Sequence, residues 1–187
     1  MSARVFVITG PSGVGKGTLI RDLRERVDGL DLSTSATTRE PRPGEVDGDD
    51  YFFLDPDEFA RRADAGEFLE HATYSGNRYG TLREEVERRL ESGRSVVLEI
   101  EVQGARQVRA ATGDETVLIF IAPPDPAVLR RRLAGRGTDS DAAIERRLET
   151  AKQELEAQQE FKHVIVNDDL DKAQQALERI VRGELEG

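Results

Sequence analysis

Gly10-Pro11-Ser12-Gly13-Val14-Gly15-Lys16-Gly17-Thr18 follows the apolar run Val5-Phe6-Val7-Ile8 and precedes a helical pattern at Leu19, Ile20, Leu23 and Val27. A strand, a Gly-rich turn and a helix in that order form the setting of a phosphate-binding P-loop. Glycines let successive backbone N–H groups converge on one anion, and the helix N-terminus adds the positive end of its dipole. Lys16 supplies a mobile point charge for β- and γ-phosphates. The stretch therefore predicts a nucleoside triphosphate site on a parallel α/β fold.

The loop departs from the common pattern at one position. The residue after the lysine ordinarily offers a hydroxyl to Mg²⁺. Here it is Gly17, with Thr18 one place later. A divalent ion would then rest more on water and on nucleotide oxygens, which Mg²⁺ tolerates well.

At 187 residues the chain suits one domain with a substantial core. A net charge of −10 argues against general affinity for nucleic acid or an anionic membrane. Only four of its 27 cationic side chains are lysines, Lys16 among them. The absence of cysteine excludes disulfides, thiol catalysis and Cys-ligated zinc. His71 and His163 are too few and too scattered for a histidine metal site. The longest apolar run, Val117 to Ala122, is far too short to cross a bilayer, and the first strand begins without a charged-then-apolar leader. These features predict a soluble cytoplasmic protein with no nucleic-acid, membrane or obligate protein partner.

Apolar runs recur at Val5–Thr9, Ser95–Ile100, Thr116–Ile121 and His163–Val166, separated by helical patterns, which indicates a parallel sheet of βαβ units. Asp55-Pro56 and Asp125-Pro126 each pair an N-cap with proline at the first helical position. Thr81-x-x-Glu84 reads as a capping box for a helix through Val86 and Leu90, with Gly93 after its end. Further helices are expected from Asp141 to about Glu160 and from Leu170 to the C-terminus. Two segments break the rhythm. Residues 33–54, rich in Thr, Arg, Pro, Gly and Asp, and the strand pattern Phe68 to Tyr74 with a Gly76-Asn77 turn predict a small antiparallel insertion. Arg130 to Thr138 places arginines around a Gly-rich hinge, the composition of a lid.

Seven pieces, in order and at matching spacing, resemble the guanylate kinase family: GPSGVGKGT (10–18), TTREPRPGEVDGDDYFF (37–53), FLEHA (68–72), GNRYGT (76–81), LEIEVQGA (98–105), RRRLAGRG (130–137) and VIVNDDLDKA (164–173). The resemblance implies a P-loop α/β core (1–32, 82–133 and 148–187), a small mixed GMP-binding insertion (33–81) and an arginine-bearing lid (134–147). It implies transfer of the ATP γ-phosphoryl to GMP, with Mg²⁺ as cofactor and dGMP as a further acceptor.

The same resemblance assigns the loop from Gly10 to Thr18, with Asn167, to ATP. It assigns Arg39, Arg42, Tyr51 and Tyr79 to the GMP phosphate, and Ser35, Glu70, Thr81 and Glu101 to guanine. Lys16, Arg39, Arg132, Arg136 and Arg147 are the implied catalytic cations, while Arg130 and Arg131 read as the polar end of a helix. The chemistry suits the residues. Phosphoryl transfer needs two anions held in line and the moving charge neutralised. Guanine presents two adjacent donors that one carboxylate can accept, and a site left with unpaired polar groups rejects other bases. By strand alternation alone, Glu70 reads as an exposed charge, and Tyr51 and Tyr79 read equally well as core aromatics.

Other departures accompany Gly17. Arg78 replaces the first tyrosine of a Tyr-Tyr-Gly turn, and Glu99 and Glu101 stand where many members carry aspartate. No direct protein ligand to magnesium is assigned; a water-mediated place near Thr18 and Glu99 is implied. Two alternatives stay open on sequence: an inactive guanylate-kinase-like binding module, and a related kinase with another acceptor, since Gly-Lys-Gly-Thr also resembles adenylate kinases.

Overall fold

The computed structural model describes residues 3–74, 76–134 and 141–187. Five parallel strands form the main sheet in the order β2-β7-β1-β8-β9: β1 (Val5–Thr9), β2 (Leu30–Leu32), β7 (Ser95–Glu99), β8 (Thr116–Ala122) and β9 (His163–Val166). Parallel strands covered on both faces read as continuous apolar runs. Accordingly β1 and β8 are buried at every position.

Their alternation divides the core into two layers. Phe6, Ile8, Val97, Val117, Ile119 and Ile121 face α1 (Lys16–Arg26) and α7 (Leu170–Glu186). Val5, Val7, Val96, Leu98, Leu118 and Phe120 face the opposite layer. There they meet Val86 of α3 (Arg83–Glu91), Val102, Ala105 and Val108 of α4 (Val102–Thr112), and Leu155 of α6 (Asp141–Glu156). Leu129 and Leu133 of α5 (Pro126–Ala134) pack with Ile144 and Ala151 of α6 in a separate cluster.

The insertion carries a second sheet, ordered β4-β3-β6-β5, built from β3 (Ala36–Thr37), β4 (Phe52–Phe53), β5 (Phe68–Tyr74) and β6 (Asn77–Leu82). Pairing is antiparallel at β3–β6 and β5–β6 and parallel at β3–β4, so the sheet is mixed, as the family resemblance implies, and not antiparallel throughout. Its core is the stacked pair Phe59–Phe68, 4.5 Å between ring centroids, with Phe59 carried by α2 (Pro56–Asp64). The Arg78 guanidinium lies 4.5 Å over the Phe59 ring, so the atypical arginine has a place in that core.

Several boundaries follow their expected chemistry. Asp55 accepts from the Glu58 N–H with Pro56 at the first helical position, and Asp125 accepts from the Ala127 N–H. The helix from Asp141 ends at Glu156 and continues as a 3₁₀ turn over Ala157–Glu160. The capping box does not form. The α3 N-cap is Leu82, while Thr81 remains in β6 with its hydroxyl engaged elsewhere. Strand β2 is an addition to the sequence reading. Of the 134–147 segment, Ala134 ends α5 and Asp141 begins α6; residues 135–140, Arg136 included, lie outside the described residues.

Candidate active site

Ligand crevices in open parallel sheets form beyond the carboxyl ends of strands where the order reverses. Here β1 ends in the Gly-rich loop, and β7, its neighbour, delivers Glu99, Ile100 and Glu101 to the same crevice. The result is a cleft of about 790 Å3 floored by Ser12, Gly13 and the stretch Gly15 to Thr18. Ser35, Tyr51 and Tyr74 of the insertion border it on one side and Arg147 of α6 on another.

The loop's backbone explains its glycines. Gly10, Gly13 and Gly15 have φ of +142°, +85° and +103°, in or near a region costly for residues with a Cβ. A Cβ on Gly10 would also stand 2.2 Å from the Ile121 carbonyl oxygen. Helix α1 starts at Lys16 with Gly15 as its N-cap, with no side-chain cap and no acid in its first turn. Its opening N–H groups are thus not taken by a cap, and an anion there is favoured by the dipole.

Lys16 Nζ donates to the Gly10 carbonyl at 2.5 Å and the Pro11 carbonyl at 3.3 Å, folding back across the loop. Behind the loop, the buried Val14 carbonyl accepts from Asn167 Nδ2 at 2.8 Å and Arg132 Nη1 at 3.1 Å. Arg132 also donates to the Asn167 carbonyl at 3.0 Å. In this structure Arg132 and Asn167 therefore brace the loop from behind, with Asn167 only 4% exposed.

A recess of about 190 Å3 continues from the cleft into the insertion, lined by Ser35, Tyr51, Glu70, Tyr79, Glu101 and Gly104 among others. At its wall sits Glu70, which is 6% exposed, accepting a 2.8 Å bond from the Thr81 hydroxyl. This explains the missing capping box: the buried carboxylate holds the hydroxyl that the helix end would have used. Burial raises the Glu70 carboxyl above the usual carboxylate range, Thr81 opposes that rise, and the negative charge of Glu101 adds to it.

Helix α4 makes room for Glu70. A Cβ at Gly104 would stand 2.6 Å from Glu70 Oε2. One turn along the same helix face, the Gln107 amide pairs with the His71 backbone, accepting from its N–H at 3.1 Å and donating to its carbonyl at 2.9 Å. Gly104 lies inside a recognised motif and Gln107 two residues beyond it, and sequence reasoning gave neither a role. The signal that could have found Gly104 is a glycine in a helix interior, where it costs about 1 kcal/mol against alanine.

Tyr51 and Tyr79 approach edge to face, 6.2 Å between centroids, half-buried at the recess. Burial pushes the Tyr51 phenol up, so it stays a neutral donor. Arg39 lies behind them with its guanidinium 5.2 Å from the Tyr51 ring centroid and a 2.9 Å ion pair to Glu45. Glu45 also accepts from the Arg42 N–H at 2.7 Å, and the Arg39 guanidinium holds its carboxyl below the usual range. Asp50 and Asp47 accept from the Val46 and Phe53 N–H groups, which orders the Pro- and Gly-rich segment without a regular element. Arg42 itself is exposed and is not among the residues that line the cleft or the recess.

A third cavity of about 390 Å3 adjoins the cleft beside Arg146, Arg147 and Glu154. Burial raises the Glu154 carboxyl to about 7; the negative Glu101 adds to that rise and Lys16 opposes it. Among the described residues, no group of three or more His, Cys, Asp or Glu side chains could hold a metal by itself, and no helix is long and apolar enough to cross a membrane.

The Guanylate kinase family model matches residues 2–184. The chain is 54% identical to a guanylate kinase of Synechococcus sp. (strain CC9311) over 177 residues, covering 95% of this chain and 93% of the relative. It is 53% identical to a guanylate kinase of Prochlorococcus marinus (strain MIT 9313) over 178 residues, covering 95% and 94%. The crystal structure of guanylate kinase from Anaplasma phagocytophilum superposes with a TM-score of 0.77 at 34% identity, covering 98% of this chain and 86% of that one.

Proposed function

The chain belongs to the guanylate kinase family, and from that premise we propose that it transfers the γ-phosphoryl group of ATP to GMP, giving ADP and GDP. The observation that carries the acceptor is the buried pair Glu70–Thr81 in a recess that opens onto the P-loop cleft. A carboxylate with lone pairs to spare accepts guanine N1–H and the 2-amino group together. Adenine presents an acceptor at N1 and lacks the 2-amino group, so it would leave the carboxylate unpaired.

The ATP phosphates lie on the loop from Gly10 to Thr18, where open N–H groups and Lys16 neutralise their charge. The GMP phosphate is held by Arg39, with Tyr51 and Tyr79 as neutral donors and Arg42 as a further cation. Arg147, already at the cleft, contributes positive charge to the reacting group, and Arg132 and Arg136 are assigned the same role by the family resemblance. Asn167 serves the adenine side through the loop that it braces.

The residues present fit a magnesium ion. Glu99 and Thr18 face the same cleft, and an ion that keeps several waters and binds phosphates needs few protein ligands. Bound there with ATP, Mg²⁺ would neutralise phosphate charge as the terminal group leaves.

The test is ADP release from ATP with GMP, dGMP, AMP, CMP and UMP offered separately, for the native protein and Glu70→Gln. Turnover with GMP, weaker turnover with dGMP and loss in the variant are expected. Equal turnover with AMP would overturn the guanine assignment, and no turnover by a folded protein would overturn the kinase.

A further inference from the structure

The two faces of strand β5 do different work. On one face His71 meets the rings of Phe59 and Phe68, and Arg78, the partner of Thr73 across the ladder, lies over Phe59. The other face carries Glu70, Ala72 and Tyr74, and all three line the recess. Their partners on β6 are Thr81, Tyr79 and Asn77. In the proposed complex Glu70 and Thr81 face guanine, and Tyr79, on the next rung, faces the GMP phosphate. The acceptor therefore runs along the ladder from base to phosphate, and Tyr74 stands one rung past the phosphate. Successive rungs on one face lie about 7 Å apart, so this position faces the group that GMP gains rather than the phosphate it brings. Tyr74 is also where the cavities meet. It lines the P-loop cleft and the third cavity as well as the recess, and in the first two it is joined by Ser12 of the loop and Arg147 of α6. At 41% exposure it is the most exposed of the chain's three tyrosines.

Resting on the reading that GMP is the acceptor, we propose that Tyr74 is a further catalytic residue, whose phenol donates a hydrogen bond to the phosphoryl group as it becomes the terminal phosphate of GDP. The displacement itself is unaltered: an oxygen of the GMP phosphate forms the new P–O bond while the bond to the departing ADP oxygen breaks. The phenol neither gains nor loses a proton in this step. It donates to the moving anion as a neutral group, beside the positive charge of Lys16 and Arg147 in the same cleft. Because the bond is made to the transferred group and not to the phosphate of GMP, it stabilises the transition state and the product without tightening the acceptor.

The experiment compares the native chain with Tyr74→Phe, which removes the hydroxyl alone, and with Tyr74→Ala. In Tyr74→Phe, kcat for ADP release should fall about tenfold or more, with KM for GMP within about threefold of native. Titration calorimetry, with ADP saturating the loop and Mg²⁺ withheld, then measures GMP and GDP separately. Tyr74→Phe should bind GDP about tenfold more weakly and GMP within about threefold of native. Tyr74→Ala should lose no more than about threefold beyond Tyr74→Phe. Native kcat and native GDP affinity in Tyr74→Phe would overturn the assignment. Equal losses for GMP and GDP would also overturn it, by moving the hydroxyl to the phosphate that GMP brings. A defect confined to Tyr74→Ala would reduce the residue to a packing ring. Failure of the native chain to release ADP with GMP would defeat the kinase reading, whereas the GMP–GDP difference tests Tyr74 by binding alone.

Discussion

Replacing Gly104 by alanine adds one methyl group, and its consequence can be worked from the geometry. The new Cβ would stand 2.6 Å from Glu70 Oε2, 3.1 Å from Cδ and 3.4 Å from Cγ. Relief to an ordinary contact of about 3.4 Å requires a shift of about 0.8 Å. The helix backbone is packed against the core through Val102, Ala105 and Val108, so the carboxylate is what moves. Moving it stretches the Thr81 bond and displaces the acceptor pair from guanine. Losing one hydrogen bond to a charged group costs about 1.5–3 kcal/mol, which is about 10- to 150-fold in kcat/KM for GMP. Alanine in a helix interior is meanwhile favoured over glycine by about 1 kcal/mol, which offsets much of the strain in the free protein. The expected variant is therefore close to native in thermal stability and in KM for ATP, with its defect confined to GMP. Steady-state ADP release with GMP varied at saturating ATP, together with calorimetry, measures both. A kcat/KM for GMP within about threefold of native would refute the claim that α4 sets the position of Glu70.

The raised Glu70 carboxyl gives a pH signature: it must be ionised to accept both guanine donors, so KM for GMP should climb as pH falls through a value above the ordinary carboxylate range. An acid limb that persists in Glu70→Gln would assign it to another group. Glu154, raised to about 7, binds its proton more tightly in the folded state than in the unfolded chain. Its protonation thus favours folding; that contribution is complete below the ordinary carboxylate pKa and lost as pH rises through about 7. Glu154→Gln should gain about 2–5 °C in Tm relative to native between pH 5 and pH 8, and a pH-independent difference would dismiss the linkage. Lys16→Ala should lower kcat/KM by more than about tenfold, or about 1.4 kcal/mol of transition-state stabilisation, and a folded variant of native activity would remove Lys16 from the chemistry.

What was legible in the sequence was whatever local pattern and tertiary demand agreed upon. Strands β1, β7 and β8 were readable because burial on both faces requires uninterrupted apolar runs, and the edge strand β9 carries the same apolar pattern although Val164 and Val166 are exposed. Strand β2 was not: Leu30-Asp31-Leu32 is three residues long and owes its existence to pairing with β7. Asp31 is held there by Arg89 and Arg94, both about 60 residues distant in the chain, which no local window can anticipate. Thr81-x-x-Glu84 satisfied a capping rule that a buried carboxylate eleven residues upstream overrode. Glu70 itself, exposed by alternation, is covered by a helix whose approach only the fold reveals. The bracing of Val14 by Asn167 and Arg132 was equally hidden, because those residues lie 153 and 118 positions further along the chain.

The amide of Gln107 has a consequence for the protein's behaviour as a solute. Strand β5 is a border of the four-stranded sheet, and a border presents peptide groups to which a strand from another molecule can add. At His71 that opportunity is closed, because one side chain supplies the donor and the acceptor that an incoming peptide would bring. The same contact that joins the insertion to the core thus shields its outer seam from self-association. In concentrated solution, Gln107→Ala should scatter more light than the native chain at temperatures where both remain folded.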